Sequence, residues 1–225
     1  MLKKLSISGA TVAMLVATLV LMGCAGQRIK MSPEDQRALA SQPNIYAVHH
    51  QPGVTFLVES TGYTIVGVLL SPMVAGAMVS EGAGIQRDLK LPDLAPRVKE
   101  RLVNSLKADL NLTNLRMVSE VPQNTNVETL KKIFDTGVVL DVQTRKWGID
   151  NNRAKYSALV RLVRLSDSTV VWEAACNEFV AGKGTSAPAR EALIANDGEL
   201  LKAKLREAAD GCADQLSTWV TEQGR

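Results

Sequence analysis

Few side chains in this sequence have the chemistry to react, ligate or cross-link. They are three cysteines, Cys24, Cys176 and Cys212, and two histidines, His49 and His50. A thiol can serve as nucleophile, metal ligand or half of a disulfide, and its surroundings decide which. No CxxC pair occurs, and the histidines lie far from Cys176 and Cys212 in sequence. Adjacent histidines on a strand point to opposite faces and cannot chelate one ion together. The chain has no GxSxG, Walker-type, HExxH or EF-hand pattern. No metal, no cofactor and no catalytic residue is therefore expected, and the chain reads as a non-enzyme. Asp141 stands between Leu140 and Val142 in a β-rich run. An inward carboxylate is one reading; the solvent face of a half-exposed sheet is the one adopted. Trp147 and Trp172 read as core aromatics rather than platforms for sugar.

Cys24 sits where an export signal ends. Lys3 and Lys4 precede an uncharged, mostly aliphatic run over residues 5–22. A positive flank, a short apolar core and a small residue at the exit are the pattern of a secretory leader. At about 18 residues the run is marginal for a membrane span. The exit, Leu21-Met22-Gly23-Cys24, resembles the lipobox of bacterial lipoproteins. That resemblance implies diacylglycerol on the Cys24 sulfur, cleavage after Gly23 and acylation (palmitate among the chains) of the new amino terminus. Met22 departs slightly from the small residue usual there. Several acyl chains, at about 0.8 kcal/mol per buried CH₂, make such an anchor permanent. Ala25 follows the cysteine. Among Gram-negative lipoproteins an aspartate there tends to hold the protein in the inner membrane, so the resemblance implies the outer membrane, with the domain facing the periplasm.

The expected organisation is a signal peptide at 1–23, a lipid anchor and tether at 24–44, and one domain at 45–225. Cleavage leaves 202 of the 225 residues, enough for a real core. Removing Lys3 and Lys4 leaves 24 basic against 23 acidic residues, a net charge of +1. There is no basic excess for nucleic acid. Cys176 and Cys212 then form an even pair in an oxidising compartment, which points to a disulfide; two buried thiols are the alternative.

Periodicity supplies the elements. Residues 26–44 are polar and read as a tether, with a short helix after Ser32-Pro33. Residues 45–49 and 54–60 are short β-rich runs. Leu94, Val98, Leu102, Leu106 and Leu110 recur every four residues, marking a helix over 92–110 with Asp93 as candidate N-cap. A strand at 115–118 and a helix from Asn126 to Phe134 follow, with Leu130, Ile133 and Phe134 on its buried side. Three strands come next, at 138–149, 156–165 and 169–180, joined by Asp150-Asn151-Asn152 and Ser166-Asp167-Ser168. Short connections predict an antiparallel meander. Its core faces are Tyr156, Ala158, Val160 and Leu162 on one strand, and Val170, Trp172, Ala174 and Cys176 on the next. A helix from about Asp197 to Glu222 carries Leu201, Leu205, Ala208, Cys212, Leu216 and Trp219 along one stripe. Together these predict an α+β fold: a mixed sheet ending in an antiparallel meander, with helices packed on it. Element order and anchoring resemble small envelope lipoproteins related to the curli secretion channel lipoprotein and to lipoprotein activators of peptidoglycan synthases. No diagnostic motif accompanies that likeness, so no site residue is carried over.

One stretch stands apart. Residues 62–84 are glycine-rich and uncharged from Tyr63 to Val79. Buried packing or a subunit interface, contact with a membrane, and a true span all compete. Pro72 and the length weigh against the span. Tyr63, Val66, Val68, Leu69, Met73 and Met78 are the candidate interface residues. The functional expectation is an accessory or assembly lipoprotein that works through self-association or contacts with envelope proteins. The alternative is a lipid- or glycan-binding component of an envelope transport system. Arg145, Lys146, Arg153, Arg161 and Arg164 make the meander locally basic, which suits carboxylates or headgroups as much as plain solubility.

Overall fold

The computed structural model describes residues 29–51, 53–59, 72–180 and 189–222, for 72–78 and 222 the backbone only. The leader and Cys24 lie outside the described residues. Strand β1 (Ile45–His50) occupies the middle of the parallel half of the sheet. It runs parallel to β3 (Leu115–Val121) on one side and to β4 (Val138–Asp150) on the other. Strand β4 continues antiparallel to β5 (Arg153–Arg164), and β5 to β6 (Thr169–Val180). The short strand β2 (Leu57–Glu59) pairs with the far end of β4, opposite Gly148 to Asp150. The spatial order is β3-β1-β4-β5-β6, a mixed sheet that ends in the expected meander. Asn151 and Asn152 both adopt positive φ, 48° and 61°, in the β4–β5 turn. That is the backbone of a two-residue hairpin whose twist suits the flanking strands, and asparagine tolerates it.

Helices cover the two faces unequally. Helix α3 (Ala95–Asp109) and helix α5 (Arg190–Glu222) pack on each other, and α5 lies over β5 and β6. Beneath them is one large apolar core that includes Leu102, Leu106, Leu140, Tyr156, Trp172 and Leu205, each no more than 2% exposed. Helix α4 (Val127–Phe134) covers part of the other face, over a small cluster of Val48, Val121, Leu130, Val139, Val163 and Leu165. Cys176 on β6 and Cys212 on α5 are joined by a disulfide with a Cα–Cα distance of 5.4 Å, inside the usual bridging range. The bond staples α5 to the sheet.

Several local expectations change. Most of the expected tether is part of the domain. Ile29 pairs with Glu173 at the β6 edge through two backbone hydrogen bonds of 3.0 and 3.1 Å. Met31 is buried, and helix α1 (Pro33–Ser41) seats Leu39 in the core. Ser32 caps α1, its Oγ accepting from the Asp35 amide at 3.0 Å, and Asp35 pairs with Arg164 at 2.8 Å. Composition alone hid this, because α1 buries little besides Leu39. The run at 54–60 is a strand only over its last part. Helix α3 starts at Ala95, later than expected, with the Asp93 carboxylate accepting from the Ala95 amide at 3.1 Å. Strand β3 extends to Val121. Ile133 is 49% exposed, not buried, whereas Leu130 is fully covered and Phe134 stacks on Tyr46. A bulge in β6 at Val171 turns Val170 to the minor face, away from Trp172. The last helix begins at Arg190 and breaks at residues 195–198, where Asn196, Asp197 and Gly198 have positive φ. A Cβ on Gly198 would meet Leu89 at 2.5 Å, so close packing also favours glycine at the break.

Candidate functional site

The minor face holds the most unusual chemistry. Asp141 lies on β4 between Leu140 and Val142, which face the major core, so its side chain projects to the other side. There it is fully buried, which overturns the solvent-facing reading. Sheet register brings Arg161 of β5 directly opposite it, and β1 delivers His50 from the neighbouring strand. His50 Nε2 lies 2.7 Å from Asp141 Oδ1, and His50 Nδ1 lies 2.8 Å from the Gln123 carbonyl. Arg161 donates from Nη2 and Nε to Asp141 Oδ2 at 2.5 and 3.2 Å. Gln143 Nε2 adds a third donor at 3.1 Å. A carboxylate without water is costly unless paired and hydrogen-bonded, and here both conditions are met.

Protonation follows from the partners. Burial by itself would raise the Asp141 pKa, but the hydrogen bond and charge of His50 and the Arg161 guanidinium hold it below the usual carboxylate range. Burial would likewise lower His50; Asp141 and the Gln123 carbonyl outweigh it and raise the imidazole. The carboxylate and the carbonyl both favour donation from the ring nitrogens of His50, and Gln143 Nε2 also lies 3.1 Å from His50 Nε2. Both ring nitrogens are thus engaged by neighbouring groups. The cluster joins β1, β4, β5 and the segment after β3 by charge-assisted bonds.

Beside it opens a cleft of about 200 Å³. His50, Gln123, Asn124, Gln143, Thr144 and Arg145 line it, a mostly amide surface with one guanidinium.

His49 points to the opposite face, as strand alternation requires. It is buried, its Nδ1 has no partner, and burial together with nearby Lys99 lowers its pKa. Lys99 is itself buried, its pKa lowered by burial, and donates to the Val118 carbonyl at 2.6 Å. Tyr156 and Thr144 share a hydrogen bond of 3.0 Å, and burial raises the Asp93 carboxyl nearby. Among the described residues no group of three or more His, Cys, Asp or Glu side chains is placed to hold a metal ion.

The other sequence candidates fall into place around this cluster. Of the basic set, Lys146 pairs with Glu59, Arg161 with Asp141, and Arg164 with Asp35 and Asp167. Arg153 sits over the Phe179 ring, 4.8 Å from its centre. The basic surface is thus largely neutralised by partners. Trp147 and Trp172 are buried, and Trp147 donates to the Val54 carbonyl at 2.8 Å. Tyr63, Val66, Val68 and Leu69 lie outside the described residues, as do the side chains of Met73 and Met78. Pro72 is the first described residue of helix α2 (Pro72–Asp88). Helix α2 lies on β2, where a Cβ on Gly82 would meet the Phe56 carbonyl at 1.8 Å. Beyond Gly82, Ile85 and Leu89 pack on the main core, while Val79 is 43% exposed. Among the described residues no helix is long and apolar enough to cross a membrane.

Asp141 is the functional candidate that sequence reasoning placed wrongly. Its signal was a charge inside an aliphatic run, with arginine inside another such run on the next strand. Only the register shows that the two meet.

No protein-family model and no curated protein matches this sequence. Solved structures that match this chain include the PelC dodecamer from Paraburkholderia phytofirmans, with 11% identity, a TM-score of 0.34 and coverage of 81% of this chain and 91% of that one. A DUF330 protein from Xanthomonas campestris has 12% identity and a TM-score of 0.34, covering 57% of this chain and 61% of its own. A candidate lipoprotein from Caulobacter crescentus has 16% identity and a TM-score of 0.25, covering 61% of this chain and 96% of its own. No residue role is transferred from any of them.

Proposed function

We propose that this chain is a lipid-anchored envelope protein acting without catalysis, as an accessory or assembly factor through protein–protein contacts. One observation carries this: the three cysteines divide into Cys24, closing a lipobox at the end of an apolar leader, and a Cys176–Cys212 disulfide. An even bonded pair suits an oxidising compartment, and the remaining thiol sits where lipidation would take it. Ala25 favours the outer membrane and a domain in the periplasm. The most reactive-looking group, His50, has both ring nitrogens committed to structure, which supports a role other than acid–base catalysis. Self-association or docking is assigned to the apolar stretch around Tyr63, Val66, Val68, Leu69, Met73 and Met78.

Mass spectrometry of the mature chain tests the anchor: a triacylated amino-terminal Cys24 is expected, and an unmodified thiol or a retained leader overturns it. Crosslinking in intact cells tests the contacts. Val68→Asp is expected to weaken them without loss of the folded circular-dichroism spectrum.

A second reading is favoured by the amide-lined cleft beside His50, whose donors and acceptors suit the hydroxyls of a glycan. Binding of soluble peptidoglycan fragments that weakens in Asn124→Ala would support it, and no binding at millimolar fragment would remove it.

A further inference from the structure

Strand topology opens the cleft beside His50. Strands β1 and β3 run parallel and side by side, and they end together at His50 and Val121. Past β1 the chain turns to the helical face, where Val54 packs against the main core and Phe56 is buried in it. Past β3 it turns to the other face, where Leu130 is buried in the minor cluster and Val127 packs against it. Two segments that part to opposite faces leave a crevice at the carboxyl ends of their strands. Open sheets with parallel strands take ligands at such a point. The cleft lies there, with Gln51 and Gly53 contributed by the first segment and Gln123 and Asn124 by the second.

The remaining wall comes from an irregularity in β4. Thr144 is opposite Ala158 of β5 and Lys146 is opposite Ser157, so Arg145 is the extra residue of a bulge. A bulge interrupts the ladder and re-aims a side chain, and this one sets a guanidinium at the cleft. Arg145 also differs from the other cations of the meander. Lys146, Arg161 and Arg164 pair with carboxylates and Arg153 lies over Phe179, whereas among the described residues Arg145 has no such partner. No acid is among the described residues that line the cleft. Asp141 is already shared by His50, Arg161 and Gln143, and Glu120 accepts from the Gln51 amide at 3.1 Å. A guanidinium is a planar fork that fits a carboxylate with two parallel bonds. The amides add donors and acceptors for hydroxyl and acetamido groups. At about 200 Å³ the cleft is smaller than the roughly 300–1,000 Å³ of a drug-sized site, which suits one sugar unit rather than a chain. We propose that this cleft binds a sugar unit bearing a carboxylate, the amides holding the ring and Arg145 the acid group. The proposal deepens the glycan reading given above and rests on it.

The test uses the full lipidated chain, isotope-labelled and held in detergent micelles. Nuclear magnetic resonance follows the Gln123 and Asn124 side-chain amides as a sugar is titrated in. The probes are N-acetylmuramic acid and its methyl ester, which differ only in the charge of the carboxyl group. An exposed ion pair contributes little by itself, so the acid is expected to bind about fivefold tighter than the ester. Arg145→Gln should remove that preference and leave binding of the ester unchanged. Arg145 is exposed, so the folded spectrum should persist in the variant. Arg153→Gln, on the same meander but outside the cleft, should leave the preference intact. Equal affinities for acid and ester overturn the proposal while the glycan reading stands. A preference that survives Arg145→Gln, or that Arg153→Gln removes as well, also overturns it, since the bulged residue would not be its source. If neither probe shifts the two amides at millimolar concentration, the glycan reading and the proposal fail together.

Discussion

The two faces of the sheet are stabilised by different physics. The helical face buries an apolar core under α3 and α5 and closes it with the Cys176–Cys212 bond. The other face has six buried aliphatic residues, Leu130 of α4 among them, and, beside them, Asp141, His50 and Arg161. Apolar burial is non-directional and tolerates exchange of similar volumes. A buried ion pair contributes little net stability against an apolar replacement, yet it penalises any arrangement that leaves one member alone. The minor face therefore specifies which strands meet, and in which register, more than it adds stability.

That difference can be broken directly. Asp141→Ala leaves the buried His50 and the half-buried Arg161 without their carboxylate and is expected to destabilise the protein by about 3 kcal/mol in urea unfolding. Replacing the set together, His50→Leu with Asp141→Leu and Arg161→Met, is expected to recover most of that loss, because no charge is then stranded. If the triple variant is as unstable as Asp141→Ala, the ionic set contributes more than specificity and the contrast between the faces fails.

On the helical face the corresponding break is covalent. The disulfide spans 36 positions, for which the chain-entropy relation gives about 3–4 kcal/mol. Cys176→Ala with Cys212→Ala should lower the urea midpoint accordingly, with some rise in m-value as the uncross-linked denatured chain exposes more surface. Loss under 1 kcal/mol would mean that α5 is held by apolar contact alone.

Much of this was legible in the sequence, and the exceptions share a cause. The alternation in 156–165 placed the core face of β5, and the four-residue recurrence of leucine placed α3, because local periodicity reports which side is buried. Asp141 failed that logic. A charge in a half-buried strand looks solvent-facing until Arg161 and His50 are brought to it by pairing across separations of 20 and 91 residues. The docking of residues 29–41 failed it too, since it depends on Ile29 finding Glu173 and Asp35 finding Arg164. Ile133 was misassigned because α4 is short and touches the sheet along a narrow stripe.

The pH response distinguishes the faces next. His50 is raised in the folded state by Asp141 and the Gln123 carbonyl despite its burial. A group whose folded pKa exceeds its unfolded value stabilises fully below the unfolded value, about 6.5 for histidine, and loses that contribution as pH rises through the folded one. Asp141 is depressed, so its contribution is present above about 3.9 and disappears as pH falls through its lowered folded value. The contribution of the His50–Asp141 pair should thus be greatest between about pH 3.9 and 6.5 and decline as pH rises through the raised His50 value, while His49, lowered by burial, acts in the opposite sense. In His50→Gln the decline above about pH 6.5 should flatten. A decline of unchanged steepness would place its source outside the minor face.

The smallest expected effect concerns α4, where the two faces of one helix can be set against each other. Leu130 is fully buried in the minor cluster, and Ile133, three residues on, is 49% exposed. Three positions on a helix subtend about 300°, so the two side chains would share a face in a deeply packed helix. Here only the Leu130 side reaches the sheet, and Phe134 completes the contact by stacking on Tyr46 with ring centres 4.7 Å apart. Ile133→Ala should therefore change stability by no more than about 0.5 kcal/mol, as exposed substitutions do, and several-fold less than Leu130→Ala. Should Ile133→Ala cost as much as Leu130→Ala, something covers that side of α4 in solution, and the minor face would be an interface.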